Sequence, residues 1–230
     1  MAFADDLRQQ VDSIFKGQWT TREGLVVPEY DTVKLGNDAV KISGTVLYAD
    51  LSASTNLVDN HEDYLCAEIY KAYLYCAARI IRIQGGVITA YDGDRVMGVF
   101  IGDSKNSSAA KCGLKINWAV KDIINPAISN QYPQINYAVQ QTVGIDTSQL
   151  FVARTGVRGA NDLVWVGRAA NYAAKLTSLD PAYPTRITKD VYESLNDESK
   201  YSNGKDMWQK ARWTSMDNID IYRSTWKWSL

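Results

Sequence analysis

Two aspartates stand where carboxylates could be held close together. Asp50 closes the apolar run of GTVLYADLSAS, and Asp94 lies within GGVITAYDGDRVMGVF, Gly85 to Phe100. Asp-Gly between two alternating apolar runs is a strong hairpin signal. The second segment therefore reads as two strands joined at Asp92-Gly93, with Asp94 on the turn. If the run ending at Asp50 neighbours that hairpin, two carboxylates lie side by side, and hard divalent cations take carboxylate oxygens. The plainer alternative is that each Asp merely forms a turn. The residues after Asp50, Leu51-Ser52-Ala53-Ser54-Thr55, are small and rich in hydroxyls. Backbone N–H groups exposed just before a helix bind anions, so Ser52 and Thr55 mark either a seat for a phosphate chain or a simple capping turn. Asn171 and Lys175 are four residues apart in a helical pattern and share one face. They are a donor pair or an ordinary solvated face.

The elements that must position these groups follow from periodicity. Val40 to Asp50 reads as a central strand, with Val46 and Tyr48 on one face and Leu47 on the other. Glu62 to Ile83 is a long helical pattern ended by Gly85-Gly86, and Ala109 to Ile124 is a second, closed by Asn125-Pro126. Ile135 to Ile145 and Leu150 to Ala153 read as hairpin partners. Thr155 to Asp162 reads as an exposed turn before a short strand, Leu163 to Val166, and Gly167 opens the helix of Asn171. Thr185 to Thr188 is a strand and Lys189 to Leu195 a short helix. Trp208 to Thr214 and Ile219 to Ser224 close the chain as paired strands. At the other end, Phe3, Leu7, Val11, Ile14 and Phe15 recur at helical spacing, stopped near Gly17. That helix is expected to pack on the domain surface, with a dimer or partner contact as the alternative. Gln18 to Asn37 reads as an irregular connection. Alternating strands and helices indicate one α/β or α+β domain.

Composition narrows the function. The chain has 230 residues and a formal net charge of −1, so no general attraction to nucleic acid or to a membrane surface is implied. Cys66, Cys76 and Cys112 share no metal-ligand spacing and suit a reducing compartment. His61 is the single histidine, which argues against a His-based metal site or a Ser-His-Asp triad. With no signal peptide and no apolar run long enough to span a bilayer, a cytoplasmic protein is expected.

Taken together and in this order, ADLSAST, GGVITAYDGD and VGRAANYAAKL, with GIDTSQLFV before the last, resemble the catalytic domain of class III nucleotidyl cyclases. The resemblance covers about Ile42 to Tyr222. It implies an α+β, ferredoxin-like cyclase fold, with a mostly antiparallel central sheet flanked by helices. It divides the chain into an N-terminal helix and connection, 1–39, and a catalytic domain, 40–230. It also implies a head-to-tail homodimer with sites at the interface. Asp50, Asp94 and the backbone carbonyl of Leu51 would hold two Mg²⁺ or Mn²⁺ ions per site, ~3.5–4 Å apart. Asn171 and Lys175 would serve the ribose ring and the α-phosphate as catalytic donors. In such an enzyme the ribose 3′-hydroxyl attacks the α-phosphate in line and diphosphate leaves.

The departures from the family pattern bear on the base. Ala90 stands four residues before Asp94, where adenine-reading Lys is usual, and Val164 stands where its Asp or Thr partner is usual. Neither can read a polar purine edge. Tyr48 is either a core aromatic or a side chain that shortens the pocket for a smaller ring. Lys175 in place of Arg keeps the charge and loses bidentate geometry. Arg154, Arg158 and Lys205 are triphosphate contacts or plain surface. This combination resembles the pyrimidine cyclases of bacterial antiphage defence, whose cyclic nucleotide activates a separate effector. The expected substrate is UTP, giving 3′,5′-cyclic UMP, with CTP second. A purine cyclase with an unusual pocket and a degenerate cyclase-like nucleotide sensor are the competing readings.

Overall fold

A computed structural model describes residues 2–230 of the chain. Its centre is β2 (Asp38–Leu51), paired antiparallel along its length with β5 (Gln141–Val157) and, over Thr45 to Asp50, with β4 (Arg95–Phe100). The hairpin partner of β4 is β3 (Val87–Asp92). Beyond β5 come β7 (Thr185–Thr188), β11 (Ile219–Ser224) and β10 (Gln209–Trp213), so the sheet runs β10-β11-β7-β5-β2-β4-β3. Two further strands join it: β1 (Thr20–Glu23) lies parallel to the start of β2, and β6 (Ala160–Val166) folds back on the end of β5, while the short β8 (Tyr201–Ser202) and β9 (Lys205–Asp206) pair apart from it. Apart from β1 and the β5–β7 pair, the ladders are antiparallel.

The pleat of β2 assigns each side chain to a face. Leu47, Ala49 and Leu51 point into the larger core. That core is built with α3 (Asp63–Ile83) and α4 (Lys105–Ala119), both rich in buried Ala, Cys, Leu and Ile. Val40, Ile42, Val46 and, partly, Tyr48 point to the other face, against Met97, Val99 and Leu150. This face is covered by α6 (Arg168–Thr177) through Ala169, Ala170 and Ala173. The small residues let α6 lie close. A Cβ built on Gly144 of β5 would stand 2.1 Å from the Ala173 carbonyl oxygen, a contact only glycine avoids.

Several elements depart from the sequence-based expectation. Ile135–Ile145 and Leu150–Ala153 are not hairpin partners; β5 is one strand of 17 residues beginning at Gln141. The polar run Asp146-Thr147-Ser148 looks like a turn, but its side chains are satisfied within the strand, Asp146 by Arg168 and Thr188, and Thr147 by donation to the Gly44 carbonyl. Arg154 to Val157 and Ala160 to Asp162 extend the β5–β6 hairpin where an exposed turn was expected. Asn125-Pro126 does not end its helix. A π-turn at Val120–Ile124, with the Asn125 N–H bonded to the Val120 carbonyl, carries the chain into α5 (Asn125–Gln131) and accommodates the missing Pro N–H. The long helical pattern is preceded by a separate α2 (Ser54–Asn60). Residues 18–37 hold β1 and a short 3₁₀ turn, Tyr30–Thr32, within an otherwise irregular path. Finally, α1 (Phe3–Lys16) forms as expected but does not pack on the domain: none of its side chains is buried, and Phe3 and Phe15 are 76% and 85% exposed. Its end is tied down by Asn37, whose Nδ2 donates to the Ile14 and Gly17 carbonyls at 2.9 and 2.7 Å.

Candidate active site

The carboxylates meet at the top of the sheet. Asp50 faces Arg95 across the β2–β4 ladder, and Asp94 immediately precedes Arg95. The hairpin loop is Gly93-Asp94, closed by the Asp92–Arg95 pair. Gly93 has φ +62°, while Asp94 keeps a negative φ. Glycine at the first central position is the requirement of a type II′ turn, whose twist matches its strands. Asp50 is half-buried, and its carboxyl is pushed up to about 6, first by burial and then by the charge of Asp94. Thr177 at the end of α6 donates to Asp50 Oδ2 at 3.1 Å, but the Ala174 carbonyl competes for the same hydroxyl hydrogen at 2.8 Å. The pair is thus an under-neutralised patch of negative charge, and this donor set fits a hard divalent cation. Among the described residues no group of three or more His, Cys, Asp or Glu side chains could hold a metal, so a cation at this pair would complete its shell with other oxygens.

Around this pair the other expected residues divide into two sets. Tyr48 shares the sheet face of Asp50, two residues before it, and Tyr48 and Ala90 both border the apolar cluster under α6. Burial pushes the Tyr48 hydroxyl up, against the opposing charge of Arg95. Leu51 is buried on the opposite face, which leaves only its backbone for a role near Asp50. Ser52 lies in the turn entering α2, where Ala53 is left-handed at φ 57° and the Ser52 N–H is engaged by the Gln140 carbonyl at 2.9 Å, and Thr55 lies in the first turn of the helix. Val164 is not brought to the Tyr48–Ala90 cluster: Leu163 and Trp165 turn toward it, and Val164 faces out, 38% exposed. Asn171 and Lys175 stand exposed on α6, and the Lys175 Nζ has only the Met216 sulfur nearby, at 3.7 Å. Arg154 is held within the chain, over the Tyr30 ring and bonded to Asn161.

Three residues of this region escaped the sequence reading. Arg95 lies 5.2 Å over the Tyr48 ring and pairs with Asp92 at 2.6 Å, and its Nε is buried without a partner. Thr89 occupies a bulge in β3 between Ile88 and Ala90, and its hydroxyl is likewise buried and unpartnered. Tyr73 of α3 is fully buried with no partner for its hydroxyl, which burial and the charges of Asp50 and Asp94 push well up. Only Arg95 leaves a signal in the sequence: as the residue after the hairpin Asp94, on a strand pairing with that of Tyr48, it shares the face of Tyr48. The bulge and the depth of Tyr73 are tertiary facts.

Solved structures of cyclase catalytic domains share this architecture. The guanylyl cyclase Cya2 superposes with a TM-score of 0.68 at 18% identity, over 82% of this chain and 94% of that one. The adenylyl cyclase CyaB from P. aeruginosa gives 0.68 at 20% identity, over 81% and 95%. At this identity the likeness assigns the fold, that of the nucleotidyl cyclase catalytic domains. No family model matches the chain. Full-length relatives resolve the family more finely. A uridylate cyclase of Xanthomonas perforans is 55% identical and one of Burkholderia cepacia 54%, each over 100% of both chains, and one of Rhodovulum sp. is 39% identical over 98% of this chain and 97% of its own. The chain belongs to the uridylate cyclases, and it is a nucleotide cyclase.

Proposed function

We propose that this enzyme converts UTP to 3′,5′-cyclic UMP and diphosphate, as a messenger-producing component of antiphage defence read by a separate effector, and that it works as a homodimer. The observation that carries the substrate reading is the Tyr48–Arg95 pair beside Asp50. Tyr48 fills space that a purine would need. The Arg95 guanidinium offers only donors, which suit the two carbonyl oxygens of uracil and oppose the exocyclic amino group of cytosine. CTP is then the second substrate. Ala90 beside them, and Val164 on an exposed strand, bring no purine-reading group.

Asp50, Asp94 and the Leu51 carbonyl would hold two divalent ions, Mg²⁺ or Mn²⁺. Bound there, such ions activate the 3′-hydroxyl and neutralise charge on the phosphates. The chain's own contributions are positional. Ser52, in the turn before α2, and Thr55, in its first turn, would meet phosphate oxygens near the carboxylates. Asn171 and Lys175 point outward, which suits donation into the site of a second copy, at the ribose ring and the α-phosphate. Losing one such donor typically removes ~2.7–4 kcal/mol of transition-state stabilisation. The domain division, 1–39 followed by 40–230, has its support in the exposed α1 and its tether at Asn37. Incubation with Mn²⁺ and each of the four nucleoside triphosphates tests the reading. Cyclic UMP should dominate, and strong cyclic AMP output with little pyrimidine product would reject the pocket argument.

A further inference from the structure

Two apolar features of the molecule have no partner within it, and they match. The first is α1. Phe3, Leu7, Val11 and Ile14 form a ridge along a 14-residue helix, each 48–76% exposed. A helix of that length is marginal alone in water and is stabilised by packing of its apolar face. The second is a groove between α3 and the α4–π segment, on the outer side of the sheet from Tyr48 and Arg95. Tyr75, Cys76, Ile83, Ala119 and Ile123 are among its lining residues, it encloses about 420 Å³, and its walls are almost wholly apolar. The π-turn that carries the chain past Pro126 also brings Ile123 into the wall.

Dimensions and charge agree. At ~1.5 Å per residue α1 is ~21 Å long, against ~15 Å for the groove wall from Tyr75 to Gln84. Arg79 and Lys115 also line the groove, and neither is among the ion pairs of the described residues. On α1, Asp5 and Asp12 are spent on Arg8 and Lys16, whereas Asp6, one turn from Phe3 and beside the ridge, has no such partner. The helix cannot reach its own groove without breaking the Asn37 tether and the β1–β2 pairing.

We propose that α1 of one copy lies in the α3/α4 groove of another, as a helix-in-groove contact distinct from the cyclase seam. The contact joins two different surfaces, so copies either exchange α1 reciprocally in a closed pair or pass it on from copy to copy. Cys76 in the groove is a native reporter. The variant Val11→Cys, which alters only an exposed side chain, should form an intermolecular disulfide under mild oxidation that disappears when Cys76→Ser is added. In light scattering, Ile83→Glu and Val11→Asp, both at exposed positions, should reduce the wild-type assembly to the same smaller species. A cross-link that survives Cys76→Ser, no cross-link at all, or a mass unmoved by Ile83→Glu would overturn the proposal. None of these readouts depends on which nucleotide is cyclised.

Discussion

At the scale of single residues, the site is held in a state that favours a ligand over stability. Asp50 sits half-buried beside Asp94 with its carboxyl raised to about 6. A carboxyl raised in the folded state contributes stability fully below its unfolded value, near 4, and loses it as pH rises through about 6. The metal-free enzyme should therefore lose stability across pH 4–6 by way of this group. Asp50→Asn removes the charge. The shift sets a ceiling of roughly 3 kcal/mol, and solvent screening at a half-exposed group brings the expected gain to ~1 kcal/mol. Thermal unfolding at pH 7.5 should show the variant melting a few degrees higher, with turnover lost; a variant that melts lower, or that turns over normally, contradicts the assignment. Mn²⁺ should raise the melting temperature of the wild type and not of Asp50→Asn. Arg95 makes a second case. Arg95→Met keeps the stem over the Tyr48 ring and deletes the donors, so the ratio of kcat/KM for UTP over CTP should fall about tenfold, worth ~1.4 kcal/mol. An unchanged ratio would remove Arg95 from base recognition.

Among the elements, α6 depends on a buried ion pair. Asp146 is 0% exposed, accepts from Arg168 at 3.0 and 3.1 Å and from Thr188 at 2.5 Å, and Arg168 also reaches Asp190. Arg168 opens the helix that presents Asn171 and Lys175. Deleting Arg168 strands a buried charge, which typically costs 3–5 kcal/mol, whereas Asp146→Asn leaves an exposed guanidinium with Asp190. Urea unfolding should therefore show Arg168→Ala losing ~3 kcal/mol and Asp146→Asn clearly less; equal losses would mean that the pair merely fills space. This pair also explains why part of the fold was hidden in the sequence. Asp146-Thr147-Ser148 has turn composition, and its polar side chains are satisfied in a strand by partners distant in sequence, Arg168 and Thr188 on Asp146 and Gly44 on Thr147. Pro126 reads as a stop because a π-turn leaves no periodic mark. By contrast Asp92-Gly93-Asp94 between alternating apolar residues, and Val46/Tyr48 against Leu47, carried the hairpin and the strand face directly, because period and turn chemistry are local. The same locality explains why the sequence alone singles out Asp50, Asp94, Asn171 and Lys175 as candidates and gives no sign of Thr89 and Tyr73.

For the whole molecule, the arrangement of exposed groups argues that one chain is half of each site. Asn171 and Lys175 lie on the solvent face of α6 with no hydrogen bond to the carboxylates. Only Thr177, at the end of that helix, reaches Asp50. On the proposed assignment, a nucleotide on Asp50 and Asp94 would meet its ribose and phosphate donors from a second copy, and closed two-fold symmetry would give two equivalent sites. Mixing tests this without a structure. Asp50→Ala and Asn171→Ala should each be nearly inactive alone. Combined in equal amounts and allowed to exchange, half the dimers are mixed, and each holds one site built wholly from intact residues and one carrying both lesions. About a quarter of wild-type cyclic UMP production should return. If Asp50 and Asn171 served the same site from the same chain, every mixed dimer would carry one lesion per site and no activity would return.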